Sequence, residues 1–325
     1  MKESLTIIIP CYNEEDVLET TFQRLLGILP MIPELEVSFL FVNDGSKDGT
    51  AMILNRFARE QERVQVIHFS RNFGHQSAVT AGINHAVSDY VVVIDADLQD
   101  PPEAIPEMWH YLKDQNANVV YGVRQERRDE TWFKKCTAKI FYRLLNYLSE
   151  TPFPVDTGDF RIMDRKVIEE FNALPEHNKY IRGLISWMGY NQVPYYYHRH
   201  ERAAGKTKYG LRKMLKLAFD AILYFSYRPL KVASGLGFAS VIIGLLLGLW
   251  IVFGKFLGFT HPETGWTSIV TIVIFFGGVQ LITIGLVSRY IGVIFDEVKR
   301  RPEYIVAQKI NVKAPSESKK NKDDK

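Results

Sequence analysis

Apolar positions in the first 230 residues follow two alternating patterns. Short β-rich runs without polar alternation predict buried strands, and apolar residues at helical spacing between them predict helices. The predicted strands are residues 5–9, 37–42, 64–69, 90–94 and 119–121, and the predicted helices are residues 14–29, 48–61, 76–86 and 103–114. Buried strands that alternate with helices are typical of a parallel sheet with crossover helices. We therefore predict an α/β domain that binds its ligands at the carboxyl ends of the strands.

Two later runs, residues 232–254 and 264–288, contain no charged residue. At about 1.5 Å rise per residue, a helix over either run is long enough to cross a hydrocarbon core of about 30 Å. Basic residues flank the pair, among them Arg228, Lys231 and Arg289. The positive-inside rule then predicts that both termini lie in the cytoplasm.

These patterns divide the chain into four parts. The expected parts are a cytosolic α/β domain at 1–210, an amphipathic interfacial helix at 211–231, two transmembrane helices at 232–290 and a cytosolic tail at 291–325. A second basic amphipathic stretch covers residues 131–149. Basic helices with Leu and Phe on one face are typical of a membrane interface, although the core of an α/β domain is the alternative.

Composition excludes some functions. The net charge of +3 over 325 residues is too small to indicate a nucleic-acid partner. Cys11 and Cys136 lie far apart without metal-site spacing, which is typical of free thiols in a reducing compartment. Homo-oligomer formation is left open.

Polar residues follow each of the first four predicted strands. They are residues 10–14, 43–46, 70–74 and 95–100. Neither a Gly-x-Gly-x-x-Gly run nor a Walker lysine motif is present, so the usual dinucleotide and P-loop sites are excluded.

The fourth strand end is acidic. Asp95 and Asp97 are two residues apart and Gln99 adds an amide oxygen, so the three can face one hard cation such as Mg²⁺ or Mn²⁺. The alternative is an Asp-rich turn before Pro101 that caps the next helix. Several carboxylates with few basic groups around one cleft favour a metal–diphosphate ligand.

The motifs at 9–14, 42–46 and 95–99 resemble, in order, the nucleotide-sugar domain of glycosyltransferase family 2, which has the GT-A fold. The runs at 156–161 and 202–209 are similar to those of polyprenyl-phosphate glycosyltransferases, which include dolichol-phosphate mannose synthases and bactoprenol glucosyl transferases. Two C-terminal spans are similar to the bactoprenol branch. One departure is Thr207, where the family usually has Ser; it keeps the hydroxyl.

The resemblance implies roles for matching residues. Nucleotide-sugar binding is implied for Pro10, Tyr12, Asn13, Glu14, Asp44, Asp95 and Ala96. A divalent metal, Mg²⁺ or Mn²⁺, is implied at Asp95, Asp97 and Gln99. Catalytic roles are implied for Asp159 beside the sugar and for Arg202 and Lys208 over the diphosphate. We add Arg124 and Lys135 as candidates for the acceptor phosphate, with surface salt bridges as the alternative.

The implied function is inverting transfer of a hexose, glucose from UDP-glucose, to undecaprenyl or another polyprenyl phosphate. The reaction would occur at the cytoplasmic face of a bacterial inner membrane. The alternatives are GDP-mannose as donor, a processive polysaccharide synthase, and a non-catalytic membrane scaffold that retains the fold. The Gln-x-x-Arg-Trp run of processive synthases is absent.

Overall fold

The computed structural model describes residues 2–124, 157–176, 179–197, 228–257 and 265–312. It consists of two compact units. The first contains the chain up to residue 138, residues 151–208 and the chain from residue 301, and the second contains residues 139–150 and 209–300. Residues 131–149 and most of 211–231, where amphipathic helices were predicted, lie outside the described residues.

All described strands belong to the first unit. They are β1 (Glu3–Cys11), β2 (Leu35–Asn43), β3 (Val64–Phe69), β4 (Tyr90–Val93), β5 (Val119–Arg124), β6 (Thr157–Asp164), β7 (Gln192–Tyr197) and β8 (Val306–Ile310). The α-helices of this unit are α1 (Leu18–Gly27), α2 (Thr50–Glu60), α3 (His75–His85), α4 (Ala104–Asp114), α5 (Arg165–Ala173) and α6 (Ile181–Trp187).

The strands form one sheet in the order β7-β5-β6-β4-β1-β2-β3-β8. Strands β4, β1, β2 and β3 are parallel neighbours, whereas β6 runs antiparallel between β4 and β5, and β8 runs antiparallel beside β3. The five predicted strands and four predicted helices are present, and the mostly parallel α/β fold is confirmed.

The core lies against one face of the central strands. Phe22 of α1 stacks on Phe57 of α2 with ring centroids 4.3 Å apart, and it contacts Phe39 and Phe41 of β2 edge-on. All four rings are almost completely buried. Because this packing holds β1 and β2 rigidly, the loops at their carboxyl ends start from fixed positions.

The second unit contains two long helices, α7 (Arg228–Phe256) and α8 (Trp266–Val298). Among the described residues, one helical segment is long and apolar enough to cross a membrane: Phe275–Val298, with a mean hydropathy of 1.6 and none of it buried. The apolar stretch of α7 is shorter, at Ala233–Gly244. Spanning by both helices therefore stays a prediction.

The described part of the predicted tail at 291–325 contains regular structure, and its cytosolic location stays a prediction. Helix α8 continues to Val298, and β8 then completes the edge of the sheet in the first unit. Tyr304 stacks on Phe69 with centroids 5.0 Å apart, and its hydroxyl accepts a hydrogen bond from Asn84 Nδ2 at 3.1 Å. Because this segment is polar, the sequence pattern did not predict strand β8, which is anchored by side-chain contacts.

Candidate active site

The loops that follow β1 and β2 are joined by hydrogen bonds. The Asn13 N–H donates to Ser46 Oγ at 3.0 Å, and Asn13 Oδ1 accepts from the Lys47 N–H at 2.8 Å. The Glu14 N–H donates to Thr50 Oγ1 at 2.9 Å. Asn13 has a φ of 54°, in the left-handed region that Asn adopts more readily than most residues. The two segments predicted to bind the nucleotide therefore form one rim.

Asp44 connects this rim to the loop after β3. Its carboxylate accepts from the Phe73 N–H at 2.6 Å, the Gly74 N–H at 2.9 Å and Asn72 Nδ2 at 2.8 Å. Burial raises the pKa of Asp44, against the effect of the two backbone donors. Gly45 has a φ of 63°, and an added Cβ would lie 2.3 Å from the backbone of the same loop. Each carboxylate oxygen has further lone pairs, so a contact to the nucleobase stays a prediction.

The acidic loop after β4 has a strained backbone. Leu98 is 4% exposed and has a φ of 58°, which is uncommon for a residue with a branched side chain. Asp97 Oδ1 accepts from the Gln99 N–H at 3.1 Å. The Ala96 carbonyl accepts from Thr21 Oγ1 at 2.8 Å. Strain of this kind is concentrated at ligand sites.

Asp159 in β6 is held by three side chains, which we call the Asp159 clamp: His75, Gln76 and Arg182. Arg182 Nε donates to Asp159 Oδ1 at 2.7 Å, and His75 Nε2 lies 3.0 Å from Asp159 Oδ2. Gln76 Nε2 donates to Asp159 Oδ2 at 3.3 Å. His75 Nε2 is also 3.7 Å from Asp95 Oδ1. The clamp thus joins the candidate catalytic carboxylate to the acidic loop.

Burial and neighbouring charges set the protonation states in this cluster. Burial alone would lower the pKa of His75, but the hydrogen bond to Asp159 and the charge of Asp95 raise that pKa to about 9. Burial acts to raise the pKa of Asp159, yet Arg182 and His75 hold it well below its usual range. Burial and nearby carboxylates raise the pKa of Asp95 to about 6, against the effect of His75. Near neutral pH, His75 is a cation and Asp159 is an anion.

The acidic loop fits a divalent cation by its donor set. Within the part of the chain that the structure describes, no group of three His, Cys, Asp or Glu side chains could hold a metal ion by itself. The predicted donors are two carboxylates and one amide oxygen, a set that Mg²⁺ or Mn²⁺ accepts when substrate phosphates complete its shell. Burial, together with the neighbouring carboxylates, raises the pKa of Asp95, and a bound cation would favour its charged form.

The structure brings most of the predicted site residues to one edge of the sheet. Those at the carboxyl ends of β1, β2 and β4 are Pro10, Tyr12, Asn13, Glu14, Asp44, Asp95, Ala96, Asp97 and Gln99. Asp159 approaches them from β6. Arg124 ends β5 and pairs with Tyr197 of β7 through the backbone. Lys135, Arg202 and Lys208 lie outside the described residues, so their roles stay predictions.

The residues of the Asp159 clamp were not found from the sequence. The polar run after the third predicted strand was followed only to Gly74, one residue before His75. A histidine at the first position of a helix that follows a strand end was a usable signal, because that position faces the same edge. Arg182 carried no such signal, since it lies in the seven-residue helix α6, far from any predicted strand end.

Comparison with known proteins agrees with this architecture. Residues 6–171 match the model of glycosyl transferase family 2. The chain therefore belongs to glycosyl transferase family 2.

Full-length relatives are also similar. The chain is 48% identical over 308 residues to "Uncharacterized glycosyltransferase YkcC" of Bacillus subtilis, covering 94% of each chain. It is 38% identical over 305 residues to "Bactoprenol glucosyl transferase" of Shigella phage SfII, covering 93% of this chain and 97% of the relative. It is 35% identical to "Prophage bactoprenol glucosyl transferase homolog" of Escherichia coli, with 93% and 98% covered.

Proposed function

We propose that this protein transfers glucose from UDP-glucose to undecaprenyl or another polyprenyl phosphate, with inversion at the anomeric carbon, at the cytoplasmic membrane face. The observation that carries the proposal is the similarity to a bactoprenol glucosyl transferase over 93% of the chain. The similarity extends through both long helices, so it includes the part that would meet a lipid acceptor.

The carboxyl edge of the sheet divides into subsites for the donor. The rim formed by the loops after β1 and β2 receives the nucleoside, and it contains Tyr12, Asn13, Glu14 and Asp44. The acidic loop lies beside the diphosphate. His75 bridges Asp159 to Asp95. Asp159 therefore lies beside the subsite for the sugar, which is attached to the diphosphate.

A divalent cation, when bound by Asp95, Asp97 and Gln99, supplies charge neutralisation to the leaving nucleoside diphosphate. Arg202 and Lys208 would add hydrogen-bond donors to the same diphosphate.

Asp159 acts as a hydrogen-bond acceptor rather than as a base. Because Arg182 and His75 hold its pKa well below the usual range, it takes up a proton poorly near neutral pH. A phosphate monoester with a second pKa of about 6 is already mostly a dianion at neutral pH, so the acceptor needs no strong base. Asp159 therefore orients a sugar hydroxyl while the phosphate oxygen attacks.

The displacement is a single step. The bond between the anomeric carbon and the diphosphate oxygen breaks as a bond to the lipid phosphate oxygen forms on the opposite face, which inverts the configuration. UDP leaves with the bonding electron pair. Arg124 and Lys135 would bind the acceptor phosphate at the membrane surface.

The test uses the full-length protein in detergent with Mg²⁺ or Mn²⁺, polyprenyl phosphate and a panel of nucleotide-sugars. Mass spectrometry is expected to detect polyprenyl-phosphate glucose and UDP, and NMR is expected to show the inverted anomer. If GDP-mannose is the preferred substrate, the proposed donor UDP-glucose is wrong and GDP-mannose takes its place. If free sugars or growing glycans accept as well as polyprenyl phosphate, the lipid-carrier function is wrong. Absence of turnover with every donor would favour the scaffold alternative.

A further inference from the structure

His68 lies in β3, is 8% exposed and is outside the cleft described above. It pairs in register with Asn43, the last residue of β2. Its two ring nitrogens each have a side-chain partner: Nδ1 lies 2.9 Å from Asn43 Nδ2, and Nε2 lies 2.9 Å from Asn55 Oδ1 of α2. A buried histidine with both nitrogens engaged holds its neighbours in a defined arrangement.

The direction of these hydrogen bonds is fixed by one backbone group. The Ser46 N–H donates to the Asn43 side chain at 3.1 Å, so the amide atom that it meets must be the oxygen. The Asn43 NH₂ group therefore faces His68, and Nδ1 of His68 must accept. The ring proton then lies on Nε2, which donates to Asn55 Oδ1. His68 is neutral and in a single tautomer.

The chain of hydrogen bonds continues from Asn43 into the nucleotide rim. Ser46 Oγ accepts from the Asn13 N–H at 3.0 Å, and Asn13 Oδ1 accepts from the Lys47 N–H at 2.8 Å. Asn55, His68, Asn43, Ser46 and Asn13 thus form one directional series from helix α2 to the loop after β1. Among the described residues, His68 is the hydrogen-bond partner of the Asn43 NH₂ group, so a change at His68 loosens the turn that Asn43 supports.

We infer that His68 is a positioning residue for the nucleotide-sugar: it holds the loops after β1 and β2 in the conformation that receives the nucleoside. The inference rests on the proposed function for the identity of the ligand. Its structural part, that His68 orders residues 43–47, holds without any ligand.

Histidine suits this position because the neutral ring has one acceptor and one donor on opposite sides. Leucine has neither, and leaves the buried Asn43 NH₂ group without its acceptor, which is costly. Glutamine carries an acceptor and a donor on one amide, so it can retain the direction of the series. Comparing His68→Leu with His68→Gln separates the effect of the lost hydrogen bonds from the effect of a changed side-chain volume.

The experiment compares full-length His68→Leu and His68→Gln with a matched control, His85→Leu. His85 is half-buried on α3, and its Nδ1 meets the Ala81 carbonyl of its own helix at 2.8 Å. Calorimetry with UDP measures donor-site binding, and steady-state kinetics separate the KM for UDP-glucose from the KM for polyprenyl phosphate. His68→Leu is expected to weaken UDP binding about tenfold. The KM for polyprenyl phosphate should stay unchanged, and His68→Gln should recover most of the loss.

Hydrogen exchange at the Ser46 and Lys47 amides tests the structural part without nucleotide. Faster exchange in His68→Leu than in His85→Leu is expected. Unchanged exchange at these amides, or UDP binding equal to that of the wild type, overturns the inference. So does a rise of both KM values together, which indicates general damage. If the wild-type protein binds neither UDP nor GDP, the proposed function fails, while the exchange result still decides the role of His68 in loop order.

Discussion

Asp159 shows how the neighbours of a carboxylate decide what it can do. Arg182 and His75 both donate toward it, and the resulting low pKa makes it a poor base but a strong hydrogen-bond acceptor. Removing its charge would also leave two half-buried cations, His75 and Arg182, less compensated. A single substitution therefore mixes a chemical effect with a structural one.

Asp159→Asn is expected to lower sugar transfer on the order of 100-fold, because a charged acceptor is lost from the site of the sugar. UDP binding should change little. The unfolding temperature should fall, since the half-buried Arg182 and His75 lose the charge of their buried partner. The double variant Asp159→Asn with Arg182→Gln should regain part of the lost unfolding temperature without regaining sugar transfer. Recovery of both in the double variant would show that Asp159 is only structural.

Asp97→Ala is expected to abolish transfer and to remove its dependence on Mg²⁺ or Mn²⁺, because one of the two carboxylate donors is lost. The protein should remain folded, since Asp97 is a half-exposed loop residue. Transfer rates are measured against metal concentration. Asp89→Ala, at the opposite end of the strands, is the control. Full activity of Asp97→Ala in the presence of EDTA would contradict the metal role.

The raised pKa of His75 predicts that the stability of the folded protein depends on pH. Its pKa of about 9 in the folded protein exceeds the unfolded value of about 6.5, so its stabilising contribution is complete below pH 6.5 and is lost as the pH rises through about 9. With EDTA present, the free energy of unfolding should therefore fall over this range. His75→Gln, which keeps a donor toward Asp159, should show a shallower fall. Equal slopes for the two proteins would mean that His75 does not carry this charge.

At the level of elements, β1 to β5 and α1 to α4 could be predicted because burial alone produced clear apolar runs. Strand β6 was missed because the buried Asp159 and Arg161 interrupt its apolar pattern. The partners of Asp159, His75 and Arg182, lie far away in sequence. Strand β7 contains Pro194, which argues against an interior strand, and it lies at an edge of the sheet. The acidic loop was predictable from its position, but the Asp159 clamp depends on long-range contacts.

The attachment of β8 also depends on a few side chains. Tyr304→Ala removes the stack on Phe69 and the hydrogen bond from Asn84, and is expected to weaken local structure by about 2 kcal/mol. Amide exchange within Val306–Ile310 should then accelerate about thirtyfold. Tyr304→Phe keeps the stack and should have a much smaller effect. Similar exchange rates in the two variants would exclude the stack as the main contribution.

At the level of the whole molecule, the sheet constrains how the chain meets a membrane. Strands β7 and β8 belong to one sheet, so the residues between them must cross a membrane an even number of times. A crossing at Phe275–Val298 therefore needs a second crossing. Helix α7 is the described element with a further apolar stretch, at Ala233–Gly244.

This constraint leads to a labelling prediction. A tag at the C-terminus should react from the cytoplasmic side together with the N-terminus, and a cysteine introduced as His261→Cys should react from outside. Substitution Cys136→Ser removes a background thiol. Accessibility is measured in right-side-out and inside-out vesicles. Protection of the C-terminal tag in inside-out vesicles would contradict the predicted orientation.

Protein synthesis completes this sheet late. Asn311 Nδ2 donates to the Val64 carbonyl, 247 residues earlier in the chain. At about 5–20 residues per second, a ribosome needs about 12 to 50 seconds to make the intervening residues. During that interval β3 has an open edge, which invites pairing with other chains. A nascent chain that stops before residue 306 keeps this edge exposed, so closure of the sheet requires that translation has passed β8.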